Sequence, residues 1–348
     1  MPDASRREDG RTDMTIERQA KMRRMARDIA GRWQSNPLLA AAPRGVLALK
    51  GLNDKARAKA LPFIRKPPAK VYGRIGDLEV RLAQGRKDIL RAQRLRFEVF
   101  YEEMSATPTV IAGMRRLDQD PYDAICDHLL VEDRSFDRTG EDAWIRSRRP
   151  HVVGTYRVLR QEVAQRTLGF YTQSEYDIAP LVARKSPRYR FMELGRSCVL
   201  QPYRTKRSVE LLWHGLWTYV REHKVDVMIG CASFEGTDPD AHAMALSFLH
   251  EHALAPQEWR CRAHDDLYVP MNRLPAGKID TKAALKALPP LIKGYLRLGA
   301  FVGDGAVIDP QFGTTDVLIV LPVENIDPRY FEHFGAPDEL KSRISADV

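Results

Sequence analysis

The chain has 348 residues, with 55 Lys+Arg against 46 Asp+Glu and a formal net charge of +9. Its 44% hydrophobic and 29% charged residues are those of a globular protein, which excludes collagen, a disulfide scaffold and wholesale disorder. The length is near the upper limit for one hydrophobic core, so one principal domain with appendages, or two small domains, is expected. The longest apolar runs, 225–232 and 317–323, fall well short of the roughly 20 residues of a membrane-spanning helix. Cys126, Cys198, Cys231 and Cys261 have no zinc-site spacing and read as reduced thiols of a cytoplasmic protein. The first 30 residues contain no apolar stretch of the kind a secretory signal requires.

Residues 1–70 hold 17 Lys/Arg and 7 Asp/Glu, while the other 278 hold 38 and 39. The basic character therefore belongs to an N-terminal extension, 1–75, ahead of a nearly neutral body at 76–325 and a tail at 326–348. Within the extension Met22, Met25, Ala26, Ile29 and Trp33 form one helical stripe, with Arg23, Arg24, Arg27 and Arg32 mostly off it. Such a helix suits an anionic membrane surface on the cytoplasmic side, where each basic residue contributes about 1 kcal/mol. It suits equally a helix packed on the body. No nucleic acid is expected as a partner, because no basic patch carries interleaved stacking aromatics. Pro67-Pro68 with Gly73 and Gly76 reads as a linker.

The body opens with a strand at 78–83 and a helix at 88–103, with Ile89, Leu95, Val99 and Phe100 on or near one face. Strands follow at 128–132, 151–160 and 190–200, then a strongly apolar helix at 207–223. The continuous apolar run 225–233 reads as a strand covered on both faces. A helix over 240–252 is expected to start at Asp238 as N-cap with Pro239 at its first position. A helix at 285–298 and a strand at 317–323 close the body. The order is α/β, with a single mixed central sheet flanked by helices.

On this order sit Arg96 and Phe100 followed by Asp120-x-x-Asp123, then Gly154-Thr-Tyr-Arg157, then Glu193-Leu-Gly-Arg196. With them the chain resembles the GCN5-related N-acetyltransferase superfamily, and within it the acyl-homoserine-lactone synthases. The segments 126–131, 192–199, 231–239 and above all 288–316 are similar to the ornithine-lipid N-acyltransferases instead. The resemblance covers about 76–325. It implies transfer of a 3-hydroxyacyl group from acyl carrier protein to the α-amine of L-ornithine, with no cofactor beyond the carrier's own acyl-phosphopantetheine.

Aminolysis of a thioester needs a grip on the phosphopantetheine arm, a base, an oxyanion site and an exit for the thiolate. The grip is expected at the start of the 207–223 helix, whose free N–H groups and dipole favour an anion, with Arg204, Lys206, Arg207 and Ser208 beside them. The superfamily's glycine positions there hold Arg207 and Val209, a departure that fits a carrier phosphate rather than a coenzyme A pyrophosphate. Glu193, a charged residue inside an apolar strand, is the first candidate for general base. An ion pair with Arg157 is the structural alternative. Strand alternation puts Glu193 and Gly195 on one face, and Leu194 and Arg196 on the other.

Arg157 and Arg196 suit the acceptor's carboxylate or a brace for the acidic loop. Asp118, Asp120 and Asp123 suit the ammonium groups of a diamino acid, or a turn around Pro121. Oxyanion donors are expected at backbone N–H groups beside a bulge in the Glu193 strand. His128 is a second base candidate. Its H-x-x-x-x-D spacing to Asp133 is discounted, since residues five apart on a strand face opposite sides. Ser233 is the candidate to protonate the leaving thiolate. The remaining histidines lack metal spacing, and no metal is expected. The stripe Leu288, Leu291, Ile292, Tyr295 and Leu298 suits an acyl channel, contact with lipid, or core packing. On the residues alone the same aminolysis of glycine, glutamine, lysine or S-adenosylmethionine stays open. A non-catalytic carrier-binding module and a lytic protein are the readings from other classes; the second needs long amphipathic segments in the body.

Overall fold

A computed structural model describes residues 69–104, 106–135, 150–327 and 329–330. The helix expected around Met22 and Trp33 lies outside them, as does nearly all of the 326–348 tail. The chain separates after Pro68 into two units, and everything below concerns the second.

Strands β1 (Val71–Ile75) and β2 (Leu78–Leu82) form a hairpin across Gly76, whose φ of +61° suits glycine. Gly73, expected in a linker, is thus a strand residue. Helix α1 (Arg86–Phe97) continues into a π-helical turn, Glu98–Glu103, and α2 (Val110–Arg115) follows. Asp120 caps a short 3₁₀ turn, Pro121–Ala124, in a capping box with Asp123. Next come β3 (Asp127–Asp133), β4 (His151–Arg160), α3 (Gln161–Arg166), a 3₁₀ turn Tyr171–Ser174, α4 (Ala179–Lys185) and β5 (Phe191–Val199). The chain then runs through α5 (Lys206–His223), β6 (Val227–Glu235), α6 (Ala243–His252), α7 (Thr281–Ala287), α8 (Pro290–Arg297), β7 (Phe301–Asp309) and β8 (Thr314–Pro322).

The eight strands make one mixed sheet in the order β1-β2-β3-β4-β5-β6-β8-β7. Every neighbouring pair is antiparallel except β5 and β6. Along β5 the alternation is visible in the core. Met192 and Leu194 join the larger apolar cluster with Leu216 and Trp217 of α5, while Phe191 joins a second cluster with Leu181 of α4. Glu193 shares the face of Phe191.

Two expected elements differ, and one strand appears that was not expected. The 240–252 helix starts later, at Ala243, because Asp238 and Pro239 form a turn in which the Asp238 carboxylate accepts the N–H of Asp240 at 2.9 Å. The 285–298 helix is two helices. Leu288, squeezed by Pro289, is extended with ψ 137°, as the residue before a proline prefers. The third difference is β7, which sequence left unassigned because Gly303 and Gly305 dilute its strand pattern.

Candidate active site

The parallel pairing of β5 and β6 holds only where Phe191, Met192 and Glu193 face Val227, Met228 and Ile229. Beyond it β5 stays with β4, β6 stays with β8, and the sheet opens between them. Gly230 sits at the vertex. A Cβ there would lie 2.3 Å from the Leu194 carbonyl oxygen, so only glycine lets the strands meet and then part. Gly230→Ala is expected to cost about 1–3 kcal/mol by overpacking against backbone. Urea unfolding checks it, and an unchanged midpoint would contradict the geometry.

On the β4 side of the opening β5 carries a bulge. Thr155 faces Cys198 and Arg157 faces Gly195, so Arg196 and Ser197 together oppose the single Tyr156. Arg196 takes φ +51° to make it, a conformation that costs an arginine about 1–2 kcal/mol. The bulge corrects the strict alternation expected from sequence. The Arg196 guanidinium lies 5.0 Å from the Tyr171 ring, and Glu193 accepts hydrogen bonds from the same turn, so both reach one face. The opening holds a cavity of about 540 Å³. Val99, Phe100, Met104, Leu291 and Tyr295 give it apolar lining, and Glu193, Arg196, Glu175, Ser233, Asp309 and Asp316 give it polar lining.

Glu193 is buried, and its carboxylate accepts the backbone N–H groups of Tyr171 at 2.8 Å and Thr172 at 2.6 Å. Burial raises its pKa above the usual glutamate value, and those hydrogen bonds only partly offset it. It forms no ion pair with Arg157. That arginine reaches both Asp120 carboxylate oxygens at 2.7 Å and Asp123 at 3.1 Å. Arg96 is fully buried. Its Nε donates to Asp118 at 2.7 Å, and its two terminal nitrogens each reach Asp123 at 2.8 Å. Burial alone would raise the Asp123 pKa, but the Arg96 guanidinium overcomes it and holds the carboxyl far below the usual range. Arg196 sits 3.4 Å from Asp118 and 3.3 Å from Asp120. Three aspartates and three arginines thus form one electrically balanced knot, of which Arg157 and Arg196 line the cavity.

His128 is buried on β3 beside Arg157, with Nε2 3.1 Å from the Asp123 carbonyl oxygen and burial lowering its pKa. It does not meet Asp133, which accepts a hydrogen bond from Tyr203 at 2.7 Å. Ser233 lies on β6 opposite Asp316 and lines the cavity. Phe100 also lines it, edge-on to Phe312 at 5.7 Å. At the start of α5 the N-cap is Thr205. Lys206 and Arg207 are exposed, and Arg204 lines the cavity while pairing with Glu103. Ser208 is buried, its hydroxyl 3.2 Å from that of Thr205.

Sequence reasoning did not single out Glu175, Asp309 and Asp316. Their carboxylate oxygens lie within 4.8 Å of one another, close enough to hold a cation. The recoverable sign was Asp316, a carboxylate entering the apolar run 317–323. Burial pushes the Glu175 carboxyl up to about 8 and that of Asp316 to about 6. The folded chain therefore binds the Glu175 proton more tightly than the unfolded chain does. Its contribution to stability is full below 4.5 and is lost as pH rises toward about 8. Glu175→Gln is expected to stabilise the chain relative to wild type at the alkaline end of that window but not at the acid end. Thermal unfolding across the window checks this, and a pH-independent difference would contradict it.

Residues 95–214 match the acetyltransferase (GNAT) domain family. That match, together with curated relatives named as N-acyltransferases, makes the chain an N-acyltransferase. The L-ornithine N(alpha)-acyltransferase of Agrobacterium fabrum is 54% identical over 269 residues, 77% of this chain and 89% of that one. Its namesake from Rhizobium meliloti is 52% identical over 286 residues, 82% and 94% of the two chains. Among solved structures, an N-acyl amino acid synthase from uncultured soil microbes is similar at 10% identity with a TM-score of 0.39, over 71% of this chain and 91% of that one. The chain belongs to the L-ornithine N(alpha)-acyltransferase family.

Proposed function

We propose that the chain transfers a 3-hydroxyacyl group from the phosphopantetheine thioester of acyl carrier protein to the α-amine of L-ornithine, releasing lyso-ornithine lipid and free carrier. The observation that carries this reading is the opening of the sheet directly after Glu193. It leaves backbone groups of β5 and β6 without a sheet partner on either side of a cavity. An extended pantetheine arm fits between such edges by offering its amides as a strand would. The apolar lining from Phe100, Met104 and Leu291 suits the acyl chain.

In the step itself Glu193, directly or through a water, takes a proton from the α-ammonium. The freed nitrogen lone pair attacks the thioester carbon, and the oxyanion meets an N–H that the bulge at Arg196 and Ser197 takes out of the ladder. The C–N bond forms, the C–S bond breaks, and the second proton shed by the nitrogen passes to the departing thiolate, for which Ser233 is the adjacent hydroxyl relay, while Glu193 returns its own proton to solvent. Arg196, whose guanidinium lines the cavity, suits the acceptor's carboxylate. Exposed Lys206 and Arg207 offer positive charge to an acidic carrier. Among the described residues no helix is long and apolar enough to cross a membrane.

Purified full-length chain with 3-hydroxyacyl carrier protein and L-ornithine tests the reading. Free carrier thiol and an acyl-ornithine mass should appear together, both dependent on ornithine. Thiol release that ignores ornithine would contradict the reading. Equal rates from acyl-coenzyme A would remove the carrier from it.

A further inference from the structure

We infer that helix α2 is a docking element that seats the mouth of the cavity on an anionic lipid surface, so that the acylated product passes from the protein into lipid. This rests on the reading above for the nature of the product and names the surface that receives it.

A helix of a folded domain ordinarily turns its apolar side chains toward the core. In α2 Val110, Ile111 and Met114 are instead 80%, 66% and 83% exposed. Positions i, i+1 and i+4 fall on one side of a helix, so the three make one patch. Single exposed apolar residues are ordinary, whereas a contiguous group marks a surface that meets a partner. The helix itself is well made. Thr109 caps its start by accepting the N–H of Ala112 at 3.2 Å, and Arg116 ends it in the left-handed conformation. Its flanks are pinned to the body: the Thr107 N–H donates to the Gln311 carbonyl at 2.7 Å, and the Asp118 N–H to the Gln93 carbonyl at 3.0 Å. Between the buried Ala106 and Leu117 every residue but Ala112 is exposed. The segment is a fixed projection with an apolar tip.

Charge and continuity with the cavity name the occupant. Residues 107–116 include Arg115 and Arg116 and no acidic residue. Arg116 pairs with Glu102, and Arg115 is exposed. An apolar tip with cations at its base matches a lipid interface, where the tip enters the acyl boundary and the arginines meet anionic headgroups. Met104 and Ala106, just ahead of the projection, line the cavity, as does Leu291 of α8. Met104 and Leu291 are themselves exposed, so the apolar lining reaches the surface from which α2 rises. A second copy of the chain fits less well. Three side chains expose at most a few hundred Å², against about 800 Å² per partner in a stable interface. An acidic carrier is drawn by charge, which Lys206 and Arg207 offer and an uncharged tip does not.

The test floats the full-length chain with vesicles of phosphatidylcholine containing phosphatidylglycerol, and with vesicles of phosphatidylcholine alone. Wild type should prefer the anionic vesicles, and Arg115→Gln should reduce that preference. The double variant Ile111→Gln, Met114→Gln keeps the charge and the helix-forming tendency. It should bind the anionic vesicles at least tenfold more weakly, as loss of two apolar side chains from the contact implies. Its thermal midpoint and its carrier-thiol release with soluble substrates should match wild type. Equal vesicle binding by wild type and double variant, or none by wild type, would overturn the inference. A lowered midpoint would overturn it by showing that the chain itself covers the patch. A wild-type dimer split by the double variant would replace lipid with a second copy, and a raised KM for the carrier would replace it with the carrier. Vesicle binding through α2 by a chain inert toward ornithine would support the docking surface and overturn the proposed function alone.

Discussion

Glu193→Gln is expected to lower kcat for acyl transfer by about 10²–10⁴-fold, the range a positioned general base contributes. The carboxylate is raised in pKa by burial and held in place by the Tyr171 and Thr172 N–H groups, so it is both fixed and a better proton acceptor than an exposed glutamate. The amide can accept only one of those two hydrogen bonds without setting its NH₂ against a donor, so some loss of local order accompanies the substitution. The pH profile separates the two effects. In wild type the rate should rise with pH through a glutamate pKa above the ordinary value, since only the deprotonated form accepts the ammonium proton. In the variant that limb should vanish. A limb that persists at the same position would transfer the role to another group, with His128 next in line.

Arg96→Met carries the second large effect, on stability. The guanidinium is fully buried and serves Asp118 and Asp123 at once, with Gln93 adding a hydrogen bond to Asp123 at 2.8 Å. Its removal leaves buried carboxylates short of their main counter-charge, a loss of about 3–5 kcal/mol. Urea unfolding should show a lower midpoint with an unchanged slope. The loss should shrink toward acid pH, because the depressed Asp123 pKa contributes stability only above its folded value, and protonating Asp123 abolishes the need for Arg96. A loss below about 1 kcal/mol, the value of an exposed ion pair, would mean Arg157 and Arg196 neutralise the knot without it.

The Glu193-x-x-Arg196 motif was legible, and with it the strand that carries the site. The relative facing of the two residues was not, because one inserted residue at a bulge reverses alternation and leaves no mark in composition. Arginine here adopts the φ that would have betrayed the bulge had it been glycine. The opening of the sheet was illegible for a related reason: it depends on Gly230 meeting Leu194, two residues far apart in the chain. Asp118, Asp120 and Asp123 stood out as charges with a brace from Arg157 and Arg196 as one reading, yet only three-dimensional pairing shows that Arg96 answers to them as well. Asp316 was visible at the head of an apolar strand, but Glu175 sits in a polar turn where a carboxylate is unremarkable until the fold buries it.

The most direct measurement is mass spectrometry of lipids from cells supplied with ornithine and expressing wild type or Glu193→Gln. Site and family together predict a new species of 3-hydroxyacyl-ornithine mass with wild type and its near absence with the variant, at equal levels of folded protein. The same species at the same level from both would contradict the placement of the chemistry at Glu193. Its absence from both would contradict ornithine as the acceptor.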